Sequence, residues 1–265
     1  MEHAMLEVDG CRRFLRQTHA PLLGRSLKTE REKNVNVLLK GVVGSTAYGL
    51  NHENSDVDYM GVFAAPTSEV LGLDDVKESV VTKDPDTTFH EAKKFVTLCL
   101  NGNPSVSELL WLDRYEQMSD LGAMLVNLRH SFLSKARVRD AYLGYATSQF
   151  TRLKDRGDGS FSADTRKRTE KHARHLVRLV EQGFHLYITG ELVVDLRSNA
   201  SEISPERVFE LGQAIAQDPA RGEKYMRLAG ARFDQAKSPL PEKPSRKVVE
   251  SWLIKVRRSD WGMNG

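Results

Sequence analysis

The chain has 265 residues, 40% of them hydrophobic, and a formal net charge of +3, which suffices for one large domain or two small ones with a real core. No run of about eighteen apolar residues occurs and the N-terminus lacks a charged-then-apolar leader, so neither a membrane span nor secretion is expected and a cytoplasmic location is. The two cysteines, Cys11 and Cys99, are too few for a disulfide framework or a cysteine-based zinc centre, and the eight histidines show no metal-ligand spacing.

The small net charge conceals an asymmetry. Between Gly41 and Leu121 five Lys/Arg stand against fourteen Asp/Glu, a balance of −9, whereas between Arg129 and Arg178 thirteen stand against five, a balance of +8. An acidic half facing a basic half suits a cleft for a metal–polyphosphate complex, although most of these charges taken singly read as solvated helix faces.

Residues 1–34 read as a helix-rich lead-in, with Leu6, Cys11, Phe14 and Leu15 as a stripe that Pro21 and Gly24 interrupt. Val37 to Val43, VLLKGVV, reads as a buried strand ending at Gly44-Ser45. A residue without a Cβ lets backbone N–H groups approach a phosphate closely, and Ser45 adds a hydroxyl. After ten intervening residues, Asp56-Val57-Asp58 opens a second apolar run, Tyr59 to Phe63. Residues i and i+2 of a strand share a face, so Asp56 and Asp58 stand side by side. Two adjacent carboxylates repel unless a cation lies between them, and oxygen ligands of this kind suit Mg²⁺ held together with substrate phosphates. Gly-Ser alone is a plain turn and the aspartates alone cap a hairpin. The combination, framed by two strands, is far more specific.

Ala64 to Ser68 marks a turn, followed by a short helix and loop to Lys77 and an edge strand over Val80 to Thr82. Asp86 opens a short extended segment before a mostly buried helix that carries Phe95, Val96, Leu98, Cys99 and Leu100 and stops at Asn101-Gly102-Asn103-Pro104. Ser105 can cap the next helix, which bears Leu109, Leu110 and Leu112. From about Asp120 the apolar pattern is helical throughout, which divides the chain into an α+β domain, residues 1–120, and an all-helical domain, residues 121–265. The informative helix begins at Lys171: Lys171, Arg174, His175 and Arg178 share one narrow face, opposite Ala173, Val177, Val180 and Phe184. His172 lies off that face beside Leu176 and Leu179 and reads as a core histidine. A Pro-bearing linker from Ser238 leads to a last amphipathic helix with Val248, Val249, Trp252 and Val256.

The Gly-Ser, spacer and Asp-x-Asp arrangement resembles nucleotidyltransferases of the DNA polymerase β superfamily. GSTAYGL followed by SDVDYMGVF is most similar to the stand-alone predicted nucleotidyltransferases of bacteria and phages, as are NPSVSELL at 103–110 and the K-H-x-x-H-L-x-R-L pattern from Lys171. Members of that branch often carry Arg where this chain has Thr46. The resemblance implies a small mixed β-sheet with flanking helices, joined to a helical domain over a shared cleft. It implies that Gly44 and Ser45 cradle an NTP such as ATP, that Asp56 and Asp58 bind two Mg²⁺ (or Mn²⁺), and that a third carboxylate completes a metal site and helps deprotonate an acceptor hydroxyl. Asp86 is the choice for that third group and Glu91 the runner-up, with Glu108 a weaker candidate. Lys171, His175 and Arg178 would contact nucleotide phosphates, while Lys167 and Arg168 receive no role. The acceptor stays open between an RNA 3′ end, a protein side chain and a small molecule, and a non-catalytic nucleotide- or RNA-binding module is the reading from another class.

Overall fold

Strand β1 (Asn36–Val43) owes its place to alternation, because Leu39, Gly41 and Val43 turn one way into the core while the exposed end at Asn36 stays at the rim. The computed structural model describes residues 36–52, 55–73, 75–155 and 163–264, with backbone alone at 163–166 and 263–264. The expected lead-in, Cys11 and most of the loop after Asp155 therefore lie outside the described residues.

β1 is followed by a short helix, α1 (Gly44–Tyr48), and then by β2 (Asp58–Ala64). A small helix α2 (Thr67–Leu71), an edge strand β3 (Ser79–Lys83) and β4 (Asp86–Glu91) come next, the last two joined through Asp84 and a cis-Pro85. Helix α3 (Ala92–Leu100) and a short α4 (Pro104–Ser107) lead to a 3₁₀ turn at Glu108–Trp111 and to β5 (Gln117–Met118). The five strands form one mixed sheet in the order β3-β4-β2-β1-β5. β1 and β2 are antiparallel, β2 and β4 parallel. The two-residue β5 was not foreseen, since no periodicity can show in so short a run.

No strand follows β5 among the described residues, whose remaining elements are α5 (Asp120–Asn127), a 3₁₀ turn, α6 (Lys135–Asp155), α7 (Ala163–Thr189), α8 (Pro205–Gln217), α9 (Pro219–Gln235) and α10 (Arg246–Asn264). The fold is thus α+β, a small mixed sheet with flanking helices followed by a helical part. Two apolar cores underlie it. One gathers Leu39, Val62, Phe95, Leu109 and Leu125 around the sheet, the other Tyr142, Leu176, Val177, Val180 and Phe233 among the helices, and Trp111 and Leu112 pack against both. The last helix returns to the sheet: Val249, Trp252 and Val256 join its core, and Trp252 Nε1 donates to the Leu121 carbonyl at 2.9 Å. Val248, expected on the apolar side of this helix, is exposed instead.

One cap differs from expectation. Asn103, not Ser105, caps α4, its Oδ1 accepting from the Val106 N–H at 3.2 Å. An Asn before Pro at the first helical position satisfies an otherwise orphaned donor and leaves Pro where its missing N–H costs nothing.

Candidate active site

Strand register brings the acidic residues to one end of the sheet. Val43 lies opposite Asp58 in the antiparallel pair, and Tyr59 opposite Thr87 in the parallel one. Asp58 and Asp86, each one residue earlier, therefore open adjacent parallel strands side by side. Asp56 sits just before β2, outside the strand, and is exposed, so Asp58 alone of the pair stands on the strand itself. Burial first, then the neighbouring Asp86, push the Asp58 carboxyl above its usual range; Lys171 of α7 pulls it back, and Asp56 adds a smaller upward push. Asp58 thus feels both Asp86 and Asp56 at the mouth of the sheet, opposed by the lysine of the helical half.

Gly44 is bound into this arrangement by geometry. Its φ of +70° is one that a residue with a side chain rarely adopts, and a Cβ placed there would lie 2.5 Å from Asp58 Oδ2. Gly44-Ser45 opens a short helix rather than a plain turn. The Gly44 N–H donates inward to the Glu108 carboxylate, and both Gly44 and Ser45 line the cleft. Thr46, where related chains often carry Arg, has its hydroxyl buried with no partner among the described residues.

Beneath the turn lies a network that the residue pattern did not reveal. Glu108 is 3% exposed and accepts the Tyr48 hydroxyl at 2.6 Å. Arg178, only 2% exposed, stands 3.8 Å from Glu108, lies 3.8 Å over the Tyr48 ring and donates to Gln182 Oε1 at 2.7 Å. Burial pushes the Glu108 carboxyl up to about 7, against the pull of Arg178, Tyr48 and the Gly44 N–H. This corrects the expectation of an open basic face. Lys171 is exposed, whereas Arg178 is a buried partner of Glu108 at the floor of the cleft. His175 is corrected as well: burial and then the charge of Arg178 push its imidazole down to about 3. It is neutral at physiological pH, with Nδ1 accepting from Arg178 at 3.1 Å. His172 is partly buried and lies 2.8 Å from Gln149 through Nδ1, a satisfied core group.

An open cleft of about 1290 Å³ runs between the sheet end and the helices, lined by Gly44, Ser45, Asp58, Lys167, Arg168, Lys171, Arg174, His175 and Arg178 among others. Lys167 and Arg168, given no role from sequence, thus share the cleft with Lys171. Glu91 does not belong to it. At the far end of β4 it caps α3 through the Lys93 N–H at 2.7 Å and pairs with Arg257 of α10 at 2.7 Å.

Among the described residues no group of three His, Cys, Asp or Glu side chains holds a metal ion by itself. The donor set suits a divalent cation all the same, since Asp58 and Asp86 supply hard oxygen ligands in mutual repulsion, and Mg²⁺ commonly takes only one or two carboxylates and completes its shell with water and substrate phosphates.

A mixed sheet presenting carboxylates beside Gly44-Ser45, under a helix that carries Lys171, is the arrangement expected of the polymerase β class of nucleotidyltransferases. The RNA repair pathway DNA polymerase beta family, RlaP, matches residues 20–217, and the chain belongs to it. No curated protein matches the chain. Among solved structures, a nucleotidyltransferase-like protein from Exiguobacterium sibiricum is 12% identical, over 89% of this chain and 78% of that one, with a TM-score of 0.28. No helix among the described residues is long and apolar enough to cross a membrane.

Proposed function

We propose that the protein is a cytoplasmic, Mg²⁺-dependent enzyme that moves an NMP from an NTP, with ATP the first to test, to the 3′ hydroxyl of an RNA end, releasing pyrophosphate. The observation that carries this reading is the pairing of Asp58 with Asp86 at the mouth of parallel strands, facing Lys171 across the cleft. The family's place in RNA repair favours RNA as the acceptor.

In this reading Asp56, Asp58 and Asp86 hold the metal ions, Mn²⁺ being the natural substitute for Mg²⁺. When bound, two such ions would supply charge stabilisation for the attacking and leaving oxygens of an in-line displacement. Asp86 takes the proton of the acceptor hydroxyl as its oxygen forms a bond to the α-phosphorus and the bond to pyrophosphate breaks. Ser45 donates its hydroxyl to a phosphate oxygen. Lys171 neutralises charge on the leaving group. Gly44 and Arg178 act from beneath, the first by letting Asp58 stand close to the turn and the second by fixing Glu108 and Tyr48 under it. The division of labour between residues 1–120, which supply the carboxylates, and 121–265, which supply the cations, is part of the same proposal.

Calorimetric titration with MgATP tests the binding half of the reading. Wild type takes up one nucleotide and Asp58→Asn loses most of the Mg²⁺-dependent part of that affinity; equal affinity with and without Mg²⁺ in both proteins contradicts it.

A further inference from the structure

The cleft has a second wall, built around an aromatic ring. Phe209 of α8 is half-buried, and the Arg174 guanidinium lies 4.7 Å over its ring. The His52 ring stands 5.4 Å from the same ring, and Arg174 reaches His52 Nε2 at 3.4 Å. All three line the cleft, and Gln213, one turn further along α8, does so too. Burial lowers the pKa of Arg174 against a smaller opposing pull from Glu170, one turn back on α7, and its guanidinium is held against the Phe209 ring.

Size and position add to this. The volume of about 1290 Å³ exceeds the roughly 300–1,000 Å³ typical of a site for one small ligand. Lys171 faces Asp58, and Arg174 lies about 4.5 Å further along α7 in the C-terminal direction, with Lys167 and Arg168 on the other side. The cleft therefore extends to both sides of Lys171, with Lys167 and Arg168 on one side and the Arg174–Phe209–His52 cluster, its two rings inclined at 51°, on the other.

We propose that Phe209, Arg174 and His52 form a subsite for a nucleobase, which stacks on this surface with Gln213 at its edge. Aromatic rings and guanidinium planes bind bases through their faces, which suits any base and requires no sequence readout. The proposal rests on the nucleotidyl-transfer reading of the same cleft. The base belongs either to the incoming NTP or to the terminal nucleotide of the acceptor, and both present the same flat group.

The test compares three probes on wild type, Phe209→Leu and His52→Ala: Mg-tripolyphosphate, which has no base, a non-hydrolysable ATP analogue with Mg²⁺, and a short single-stranded RNA. Leu keeps most of the apolar volume of Phe209, His52 is exposed, and thermal unfolding checks that both variants fold. The expected result is a roughly tenfold loss of affinity for a base-containing probe with tripolyphosphate binding unchanged. Loss for the ATP analogue alone assigns the surface to the NTP, and loss for the RNA alone assigns it to the acceptor. No loss for either, or an equal loss for tripolyphosphate, overturns the subsite. Tripolyphosphate binding by wild type separates the two levels: its persistence leaves the nucleotidyl-transfer reading standing if the subsite fails, and its absence removes both.

Discussion

Gly44 and Asp58 are in such close contact that a methyl group on the first would lie 2.5 Å from a carboxylate oxygen of the second. Because Gly44 also has φ +70°, Gly44→Ala combines backbone strain of roughly 1–2 kcal/mol with displacement of Asp58. The expected outcome is loss of at least about a hundredfold in nucleotide transfer, since misplacement of a reacting group by 1 Å can cost that much, alongside a modest fall in melting temperature. Steady-state kinetics and thermal unfolding on the same preparation check it.

Arg178 and Lys171 separate stability from binding. Arg178→Ala leaves the buried Glu108 without its cation, and breaking such a pair typically costs about 3–5 kcal/mol. Lys171 is exposed, and its loss should change stability by less than about 0.5 kcal/mol. If Lys171 touches phosphate, however, its removal weakens MgNTP binding about tenfold to a hundredfold. Urea unfolding and calorimetry on the two variants give opposite orders of effect.

Glu108 imposes a pH dependence of known sign. Its carboxyl is raised to about 7 from an ordinary 4.5, so between those values the folded state holds a proton that the unfolded state has released. Stability from this group is therefore present in full below about pH 4.5 and declines as pH rises towards 7. Unfolding measured across this window in wild type and Glu108→Gln should show the decline in the first and its absence in the second.

Asp86 and Glu91 share a strand and have different fates. Glu91→Ala removes an N-cap, worth about 1 kcal/mol, and strips Arg257 of its partner, so it should lower the melting temperature. Asp86 is exposed at the strand's opening. Asp86→Ala should leave the melting temperature close to wild type and reduce transfer far more than Glu91→Ala does.

The parts of the site that were legible in the sequence are those set by neighbours in the chain. Val37 to Val43 and Tyr59 to Phe63 announce strands through apolar runs, and the strand ends fix where Gly44 and Asp58 stand. Asp86 could be placed because a turn precedes it and a helix follows. What stayed hidden depends on depth. A helical projection gives the angle of Arg178 but not what covers it, and here Tyr48 and Glu108, distant in sequence, close over that turn of α7 and turn an apparently solvated arginine into a buried one. The neutral state of His175 has the same origin, since burial and the charge of Arg178 are both tertiary effects. Glu108 reads as one polar residue in a leucine-rich segment. Its importance arises from contact with Tyr48, sixty positions away, for which a single sequence carries no signal.

The central claim, that the Asp58–Asp86 pair makes this protein a nucleotidyltransferase, is tested most directly by incubating wild type and Asp58→Asn with labelled NTP, Mg²⁺ and RNA bearing a free 3′ hydroxyl. Transfer of label from the α-phosphate to the RNA by wild type, lost on chelation of Mg²⁺ and absent in a folded Asp58→Asn variant, is the predicted result. Undiminished transfer by Asp58→Asn, or no transfer by wild type to RNA, protein or small-molecule acceptors with any of the four NTPs, would contradict it.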